Sequence, residues 1–256
     1  MGVSSDDAAL GAEVLVATDL RGVETHGVSN MLRSYVEGYT QGTLNPRPDM
    51  RVVRETPSTA NVDADKGLAV ILGPKAMQMA IDKARNVGVG VVTMSNAGHS
   101  GAIGHHAMLA AKQDMVGMTA TSGGLLVVPT YGAEPRLGTN PIAIAAPAKS
   151  EPALLFDAAT SAVAGNKLRL AERVGADMLP GWIAGLDGDP VMDEVKLPDR
   201  GQYFQLPLGG TRDQGSHKGY GFGLMSEVLS TMLSGDLPGM VDGVSRSSHH
   251  YFAAYN

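Results

Sequence analysis

The first fifty residues carry apolar positions at helical spacing. Hydroxyl and acidic side chains at residues 4–6 can cap a first helix, whose apolar face would comprise Leu10, Val14 and Ala17. A second helix is predicted over residues 29–39, before Gly42, with one apolar stripe: Met31, Leu32, Tyr35, Val36 and Tyr39. The segment NPRPDM (45–50) then breaks the pattern. We therefore expect a small helical domain over residues 1–50.

Beyond residue 50, short apolar runs alternate with helical stretches. Extended segments are predicted at 51–55, 90–94, 116–122, 141–147 and 153–159, and the terminal HHYFAAYN (249–256) also reads as a strand. Helices are predicted over 75–85, 102–112, 162–174 and 221–233. Short apolar strands separated by helices predict an α/β domain over residues 51–256, with helices covering its sheet.

The composition narrows the functional classes. A net charge of -6 provides no basic surface for nucleic acid, and the absence of cysteine excludes disulfides, thiolate catalysis and sulfur-rich zinc sites. The amino-terminal MGVSSDDAAL lacks the basic flank and apolar run of a signal peptide, and no uncharged stretch is typical of a membrane span. We therefore expect a cytoplasmic protein with neither nucleic acid nor membrane as partner.

Two histidines stand in turns beside small residues. His26 lies in RGVETHGVSN, between the two predicted helices, where the ordinary alternative is a surface histidine near a helix end. His99 lies in NAGHSGAIGHH, which follows an apolar strand and precedes a helix. Because ligands of open α/β sheets bind at the carboxyl ends of strands, His99 is a candidate ligand-binding residue.

The glycines around His99 permit close approach of the backbone to a ligand: Gly98, Gly101 and Gly104. The helix that follows them would favour an anion at its amino terminus. His105 and His106 lie within that helix, and we expect them on a solvated face.

Three further turns carry candidate binding groups, each with an ordinary structural alternative. Asn140 precedes Pro141 in GTNPIAIAAP and forms either a binding turn or a plain strand entry. Asp157 ends a strand in FDAATSAVAGNK and either binds a ribose hydroxyl or caps the local backbone. His217 and Lys218 begin a helix in SHKGYGFG, where the lysine suits a phosphate or carboxylate or is simply a surface lysine.

No familiar nucleotide or metal fingerprint accompanies these turns. The chain contains neither G-x-G-x-x-G nor the P-loop pattern, and no histidine or carboxylate spacing indicates a metal site. The residues by themselves predict an α/β enzyme with an anionic ligand and one or two functional histidines.

Six motifs in order nevertheless resemble those of the type 2 malate/L-lactate dehydrogenase family, which includes sulfolactate and ureidoglycolate dehydrogenases. They are RGVETHGVSNMLRSY, NAGHSGAIGHH, LGTNPIAIAAP, DAATSAVAGNK, GWIAGLDGDP and the pair LPLGG and SHKGYGFGLM. The resemblance implies an α/β fold that binds NAD or NADP without the Rossmann fingerprint. It also implies a homodimer that transfers a hydride between NAD(P) and a small 2-hydroxy acid such as malate or L-lactate.

The resemblance also assigns roles to particular residues. Thr25, His26 and Gly27 match the motif that lines the family's active site, and His99 matches its proton carrier. The residues expected to contact the cofactor are Gly101, Thr139, Asp157, Thr160, His217, Lys218 and Gly219.

This chain departs from the family pattern at two positions. Many members carry an arginine for the substrate carboxylate where this chain has Asn30, and Arg33 on the same helical face is the expected substitute. The alternative makes Arg33 a surface residue paired with Glu37 and leaves the carboxylate to Lys167 or Arg136. Lys167 stands where some imine-reducing members have an acid, so it favours a hydroxy-acid substrate.

Two other functions compete with this interpretation. Relative to the family, the chain looks shortened at both ends, which would suit a catalytically inactive binding or assembly module. A hydrolase using Thr25, His26 and a distant aspartate is the other alternative, although the chain lacks a nucleophile-elbow sequence.

Overall fold

The computed structural model describes residues 1–244 and 247–256 of the 256-residue chain. The strands in this part are β1 (Arg51–Glu55), β2 (Thr59–Asp63), β3 (Val89–Ala97), β4 (Val116–Ser122), β5 (Ile142–Ala146), β6 (Leu154–Ala158), β7 (Ile183–Ala184), β8 (Phe204–Gln205) and β9 (Ser248–Tyr255). The α-helices are α1 (Ser5–Leu20), α2 (Val28–Thr40), α3 (Ala69–Val87), α4 (Gly104–Ala111), α5 (Gly165–Val174), α6 (Ser216–Glu227) and α7 (Gly239–Asp242). A 3₁₀ turn covers Glu24–His26, and a π-helical turn over Val228–Met232 continues α6.

Seven of the described strands form one mixed sheet, in the order β1-β2-β3-β9-β4-β5-β6. Strands β2 and β3 are parallel, whereas the other neighbouring pairs are antiparallel. The last strand, β9, lies in the middle of the sheet between β3 and β4. This arrangement confirms the predicted α/β class and places residues far apart in the chain side by side.

Helices α3 and α4 pack on one face of the sheet. The core between α3 and the sheet is formed by fully buried side chains of α3, β3 and β9: Met77, Ile81, Val92, Met94 and Phe252. A Cβ atom on Gly90 of β3 would overlap the Ala80 carbonyl group, and one on Gly117 of β4 would overlap that of Ala107. Glycine at these two positions therefore allows the helix backbones to lie directly against the strands.

The amino-terminal helices pack on the first turn of α3. Val14, Met31 and Tyr35 share a buried cluster with Leu68 and Val70. The predicted cap at the start of α1 is confirmed, because the Ser4 hydroxyl accepts a hydrogen bond from the Asp7 amide at 3.2 Å. The division of the chain at residue 50 stays a prediction.

One member of the predicted apolar stripe of α2 lies outside the core. Leu32 is 47% exposed, whereas Met31 and Tyr35 are buried. Successive residues of a helix are about 100° apart, so the face that packs on α3 includes Met31 but turns Leu32 toward solvent. The prediction that Leu32 is buried was therefore wrong.

The predicted elements differ from the observed ones mainly at helix starts. The bounds of β1 and β4 agree with the prediction, whereas β2, β7, β8 and α7 were not predicted. Helix α3 begins at Ala69 rather than at residue 75, and Pro74 lies inside it. Helix α6 begins at Ser216 rather than at residue 221. None of the helices in the described ranges is long and apolar enough to cross a membrane.

Candidate active site

The turn between β3 and α4 carries His99 and is held tightly by the backbone. The Gly98 amide donates to the Gly67 carbonyl at 2.8 Å, and the His99 carbonyl accepts from the Val70 amide at 3.1 Å. Gly101 has a φ of 69°, in the left-handed region that favours glycine. The turn is therefore a fixed platform between the sheet and the start of α3, as expected for a site that must orient a side chain.

His99 meets two aromatic side chains from the amino-terminal segment. Its Nδ1 atom lies 2.7 Å from the Tyr35 hydroxyl, and its ring stacks on that of His26 with centroids 5.5 Å apart and an interplanar angle of 18°. The close packing of α2 on the first turn of α3 brings Tyr35 there. Three titratable rings therefore meet where the 3₁₀ turn, α2 and the β3–α4 turn converge.

The hydrogen bonds of His99 indicate which ring nitrogen carries its proton. The Gly101 amide donates to Nδ1 at 3.2 Å, so the neutral ring that satisfies this donor carries its hydrogen on Nε2. No described group bonds to Nε2, which leaves its N–H available to a ligand. Burial, with a smaller contribution from His26, lowers the pKa of His99 to about 3. The ring is therefore neutral near pH 7.

The His26 turn is held by polar groups on both sides. The Thr25 hydroxyl lies 2.8 Å from His26 Nδ1, and burial lowers the pKa of His26. Asn166, in the first turn of α5, donates to the Thr25 carbonyl at 2.7 Å. Thr25 and His26 are thus brought beside His99, as the family resemblance implied, while Asn166 joins them to α5.

The expected substrate-binding residues lie around the start of α2 but do not form one cluster. Asn30 donates to the Glu24 carbonyl at 2.6 Å and accepts from Arg173 of α5 at 3.3 Å. Arg33 is exposed, and its described contacts include no ion pair with Glu37. Lys167 is also exposed, next to the Asn166 side chain that contacts Thr25.

Asp157 lies at the amino terminus of α4. Its carboxylate accepts from the Gly104 amide at 2.7 Å, and burial raises its pKa. A Cβ atom on Gly104 would lie 2.6 Å from the same carboxylate oxygen, so glycine is needed for this approach. Asp157 is therefore next to the His99 turn, with one oxygen already bonded to the backbone.

Thr139, Asn140 and Thr160 form a cluster with α6. The Thr160 hydroxyl donates to the Thr139 carbonyl at 3.0 Å, and the Asn140 amide donates to the Glu227 carboxylate at 3.0 Å. Asn140 has a φ of 37° although proline follows it, a strained backbone of the kind that functional sites retain. Its buried side-chain oxygen has no hydrogen-bond partner among the described residues. This cluster leaves one buried acceptor for a ligand.

His217 and Lys218 are exposed on the first turn of α6, where the Ser216 and Lys218 amides already donate to the Thr211 and Gly215 carbonyls. Gly219 follows them and is buried. A Cβ atom there would overlap the Leu208 backbone. Gly219 thus serves the close packing of α6 on the preceding loop.

The prediction that His106 lies on a solvated face was wrong. His106 is fully buried, and its Nε2 atom lies 3.0 Å from the Ser100 carbonyl oxygen. The helix face that carries it turns toward Phe252 of β9, whose ring lies 5.9 Å away. His105 is half-buried.

Tyr35 and Asn166 were not identified as site residues from the sequence. Tyr35 was assigned to the apolar stripe of α2, because a tyrosine at a core position shows nothing of its hydroxyl partner. Asn166 stands beside Lys167 at a helix start, and that polar position was the available signal.

The assembled groups suit proton transfer next to a bound anion. His99 offers a neutral ring with a free Nε2–H, Tyr35 contacts its other nitrogen, and the exposed Arg33 lies on the same helix as Tyr35. In residues 1–244 and 247–256, no group of three or more histidine, aspartate or glutamate side chains could hold a metal ion.

Known proteins share both the sequence and the fold of this chain. The model of the malate/L-lactate dehydrogenase family matches residues 1–255. A malate dehydrogenase of Pyrococcus horikoshii is 44% identical over 236 residues, which are 92% of this chain and 64% of that protein. An L-sulfolactate dehydrogenase of Methanocaldococcus jannaschii is 39% identical over 244 residues, which are 95% of this chain and 68% of that protein.

A solved malate dehydrogenase structure also matches this chain. The malate dehydrogenase of Entamoeba histolytica matches the whole chain with a TM-score of 0.90 at 31% identity, and the match covers 73% of that protein. The chain spans 64% of the length of the Pyrococcus malate dehydrogenase. By its motifs, its fold and the match to residues 1–255, the chain belongs to the malate/L-lactate dehydrogenase family.

Proposed function

We propose that this chain is an oxidoreductase that transfers a hydride between NAD or NADP and a small 2-hydroxy acid. The observation that carries the proposal is the pairing of His99 with Tyr35, which leaves Nε2 of a neutral imidazole free beside His26. Relatives named malate and sulfolactate dehydrogenases support the substrate class. L-lactate stays a second candidate acid.

The geometry supports a proton-transfer role for His99 in both directions. In the reductive direction, His99 must first take up a proton from solvent, a charge that the carboxylate of a bound 2-oxo acid would favour. The imidazolium then donates its Nε2 proton to the keto oxygen and returns to the neutral ring with its hydrogen on Nδ1. In the oxidative direction, Nε2 must accept the hydroxyl proton, so the ring hydrogen must first reside on Nδ1, where the Tyr35 oxygen can accept a hydrogen bond from it. The nicotinamide, when bound, supplies the hydride acceptor or donor. Thr25 and Asn166 hold His26 against His99 meanwhile.

The residues present fit a nicotinamide nucleotide. The exposed Lys218 suits its phosphates, and the unpartnered oxygen of Asn140 suits an amide N–H donor. Thr139 and Thr160 lie beside Asn140, Gly101 belongs to the His99 turn, and Asp157 of β6 bonds to Gly104 where that turn ends.

A test of the cofactor site compares two exposed lysines. Lys218→Ala should weaken the binding of NADH or NADPH by roughly 10-fold, because a charge-assisted bond to phosphate is worth about 1.5 kcal/mol. Lys149→Ala, at an exposed lysine between β5 and β6, should leave affinity unchanged. Calorimetric titration measures both, and equal affinities in the two variants would remove Lys218 from the site.

For the substrate carboxylate we propose Arg33 as the anchor. Asn30 cannot neutralise a carboxylate, and its side chain is already bonded to Glu24 and Arg173. Arg33 is three residues further along α2, carries no described ion pair and can grip a carboxylate with two parallel bonds. Arg173 and Lys167 of α5 are the competing cations.

Steady-state kinetics with several 2-hydroxy acids distinguishes these cations. If Arg33 is the anchor, Arg33→Lys and Arg33→Ala should both lower kcat/KM by roughly 10- to 100-fold, since lysine does not reproduce the two-pronged geometry. Arg173→Ala is the matched comparison from the other side of Asn30. Parent-like rates in both Arg33 variants, with a loss in Arg173→Ala, would move the anchor to α5.

The resemblance further suggests a homodimer, and the sequence pattern suggests a cytoplasmic location; we retain both as proposals. Large apolar side chains exposed on α6, on its π-helical extension and on β6 support a subunit contact: Phe222, Met225, Met232, Leu154 and Phe156.

A further inference from the structure

Two buried histidines contact the His99 turn from inside the sheet, and the proposed reaction gives them no part. His250 of β9 places Nε2 3.0 Å from the Gly98 carbonyl oxygen. His106 of α4 places Nε2 3.0 Å from the Ser100 carbonyl oxygen. The two rings therefore bond to the peptide groups on either side of His99.

A second set of bonds fixes the orientation of the His250 ring. Its Nδ1 lies 2.9 Å from the Thr121 hydroxyl, which in turn lies 3.2 Å from the Ser100 hydroxyl. A carbonyl oxygen can only accept, so Nε2 of His250 carries the hydrogen and Nδ1 accepts from Thr121. The bonds from Ser100 through Thr121 and His250 to Gly98 thus join the two sides of the turn.

Three successive carbonyl groups of the turn, at residues 98–100, all accept hydrogen bonds. The Gly98 oxygen accepts from His250, the His99 oxygen from Val70, and the Ser100 oxygen from His106. Both histidine rings are fully buried, so solvent cannot replace the bonds that they make. A turn held in this way has little freedom to rotate the His99 side chain away from Tyr35.

We propose that His250 and His106 are positioning residues that clamp the turn and so keep Nε2–H of His99 directed at the substrate. The catalytic consequence rests on the proposed function, whereas the clamp itself does not. His250 is the stronger member, because it holds the turn through both ring nitrogens, while Nδ1 of His106 has no described partner.

Two substitutions of His250 distinguish the effect of its hydrogen bond to Gly98 from the effect of its packing volume. In His250→Gln, the amide nitrogen reaches about as far as Nε2 of histidine and can still donate to Gly98. In His250→Asn, the shorter side chain keeps a polar group near Thr121 but cannot reach Gly98. Because a misplacement of about 1 Å can cost on the order of 10²-fold in rate, we expect kcat to fall roughly 10- to 100-fold in His250→Asn. His250→Gln should retain kcat within about 5-fold, with cofactor affinity little changed in either variant.

His249 provides the matched control on the same strand. It is as deeply buried as His250, but its ring bonds to Asp236 at 2.9 Å and has no described bond to the turn. His249→Asn should therefore cost stability without the loss in kcat. Should His250→Asn fail to fold, Thr121→Val removes the hydroxyl that bonds to Nδ1 of His250 and to the Ser100 hydroxyl. This variant should give a smaller fall in kcat, of up to about 10-fold.

The side-chain nitrogen resonances of His99 supply a readout that needs no turnover. In the parent protein, NMR of the imidazole nitrogens should show His99 as the Nε2–H tautomer. His250→Asn should mix the two tautomers, whereas His250→Gln and His249→Asn should preserve the parent signal. An unchanged His99 signal in His250→Asn, or equal kcat losses in His250→Asn and His249→Asn, would overturn the clamp. If the parent protein shows the predicted tautomer but no turnover, the proposed function is refuted and the clamp is not.

Discussion

Replacing His99 with alanine is expected to lower turnover by roughly 10²- to 10⁴-fold, the usual contribution of a general acid–base group. The loss should appear mainly in kcat, because the side chains that His99 contacts are those of Tyr35 and His26 and not that of Lys218, which is proposed to bind the cofactor. Steady-state kinetics at saturating substrate, with cofactor affinity measured separately by nicotinamide fluorescence, reports the two quantities.

Tyr35→Phe is a milder change at the same site and serves as a comparison for His99→Ala. The variant keeps the aromatic packing of α2 and removes only the hydroxyl next to Nδ1. We expect a turnover loss of roughly 10-fold, smaller than that of His99→Ala, since the Gly101 amide still orients the ring. A His99→Ala variant with turnover within a factor of a few of the parent would assign His99 to a purely structural turn.

The second large effect is a loss of stability in mild acid. Burial lowers the pKa values of His99, His106 and His250 to about 3, whereas a histidine in the unfolded chain titrates near 6.5. The unfolded state therefore binds protons that the folded state does not, and stability falls as the pH drops from about 6.5 toward 3. Each ring contributes at most about 1.4 kcal/mol per pH unit, so the three together should lower the unfolding free energy by about 4 kcal/mol between pH 6 and pH 5.

Urea unfolding at pH 7, 6 and 5 measures this dependence. The lowered pKa values of the Asp7 and Asp63 carboxyls also make acid destabilising, but their contribution begins near the ordinary carboxyl pKa of 3.8, below this window. His250→Gln removes one of the titrating rings and should reduce the slope by about 1.4 kcal/mol per pH unit. A parent whose unfolding free energy is equal at pH 6 and pH 5 would contradict the burial of these histidines as neutral rings.

The fold class could be predicted from the sequence because apolar periodicity is a local property. The strands at 51–55 and 116–122 and the cap at Ser4 depend only on neighbouring residues, and the structure confirms them. The position of β9 in the middle of the sheet could not be predicted, because strand order depends on pairing between distant segments. The clamp on the His99 turn depends on that pairing, since it joins Thr121 of β4 to His250 of β9.

Parts of the candidate site were visible in the sequence for a different reason. His26 and His99 were identified from turn motifs and the family resemblance, and the structure stacks their rings. The burial of His106 was missed because a helix of small residues shows no clear apolar face, so the side that meets the sheet cannot be read from spacing. The hydroxyl partner of His99 was missed because Tyr35 also satisfies the apolar stripe of α2.

The central claim is hydride transfer between a 2-hydroxy acid and a nicotinamide, and isotope transfer tests it most directly. Malate, sulfolactate and lactate, each deuterated at the carbinol carbon, are incubated with the protein and NAD or NADP, and the mass of the nicotinamide product is measured. We predict that with at least one acid the reduced cofactor gains one deuterium, at a rate that falls sharply in His99→Ala. A protein that binds the cofactor yet transfers no deuterium from any of the three acids would contradict the claim.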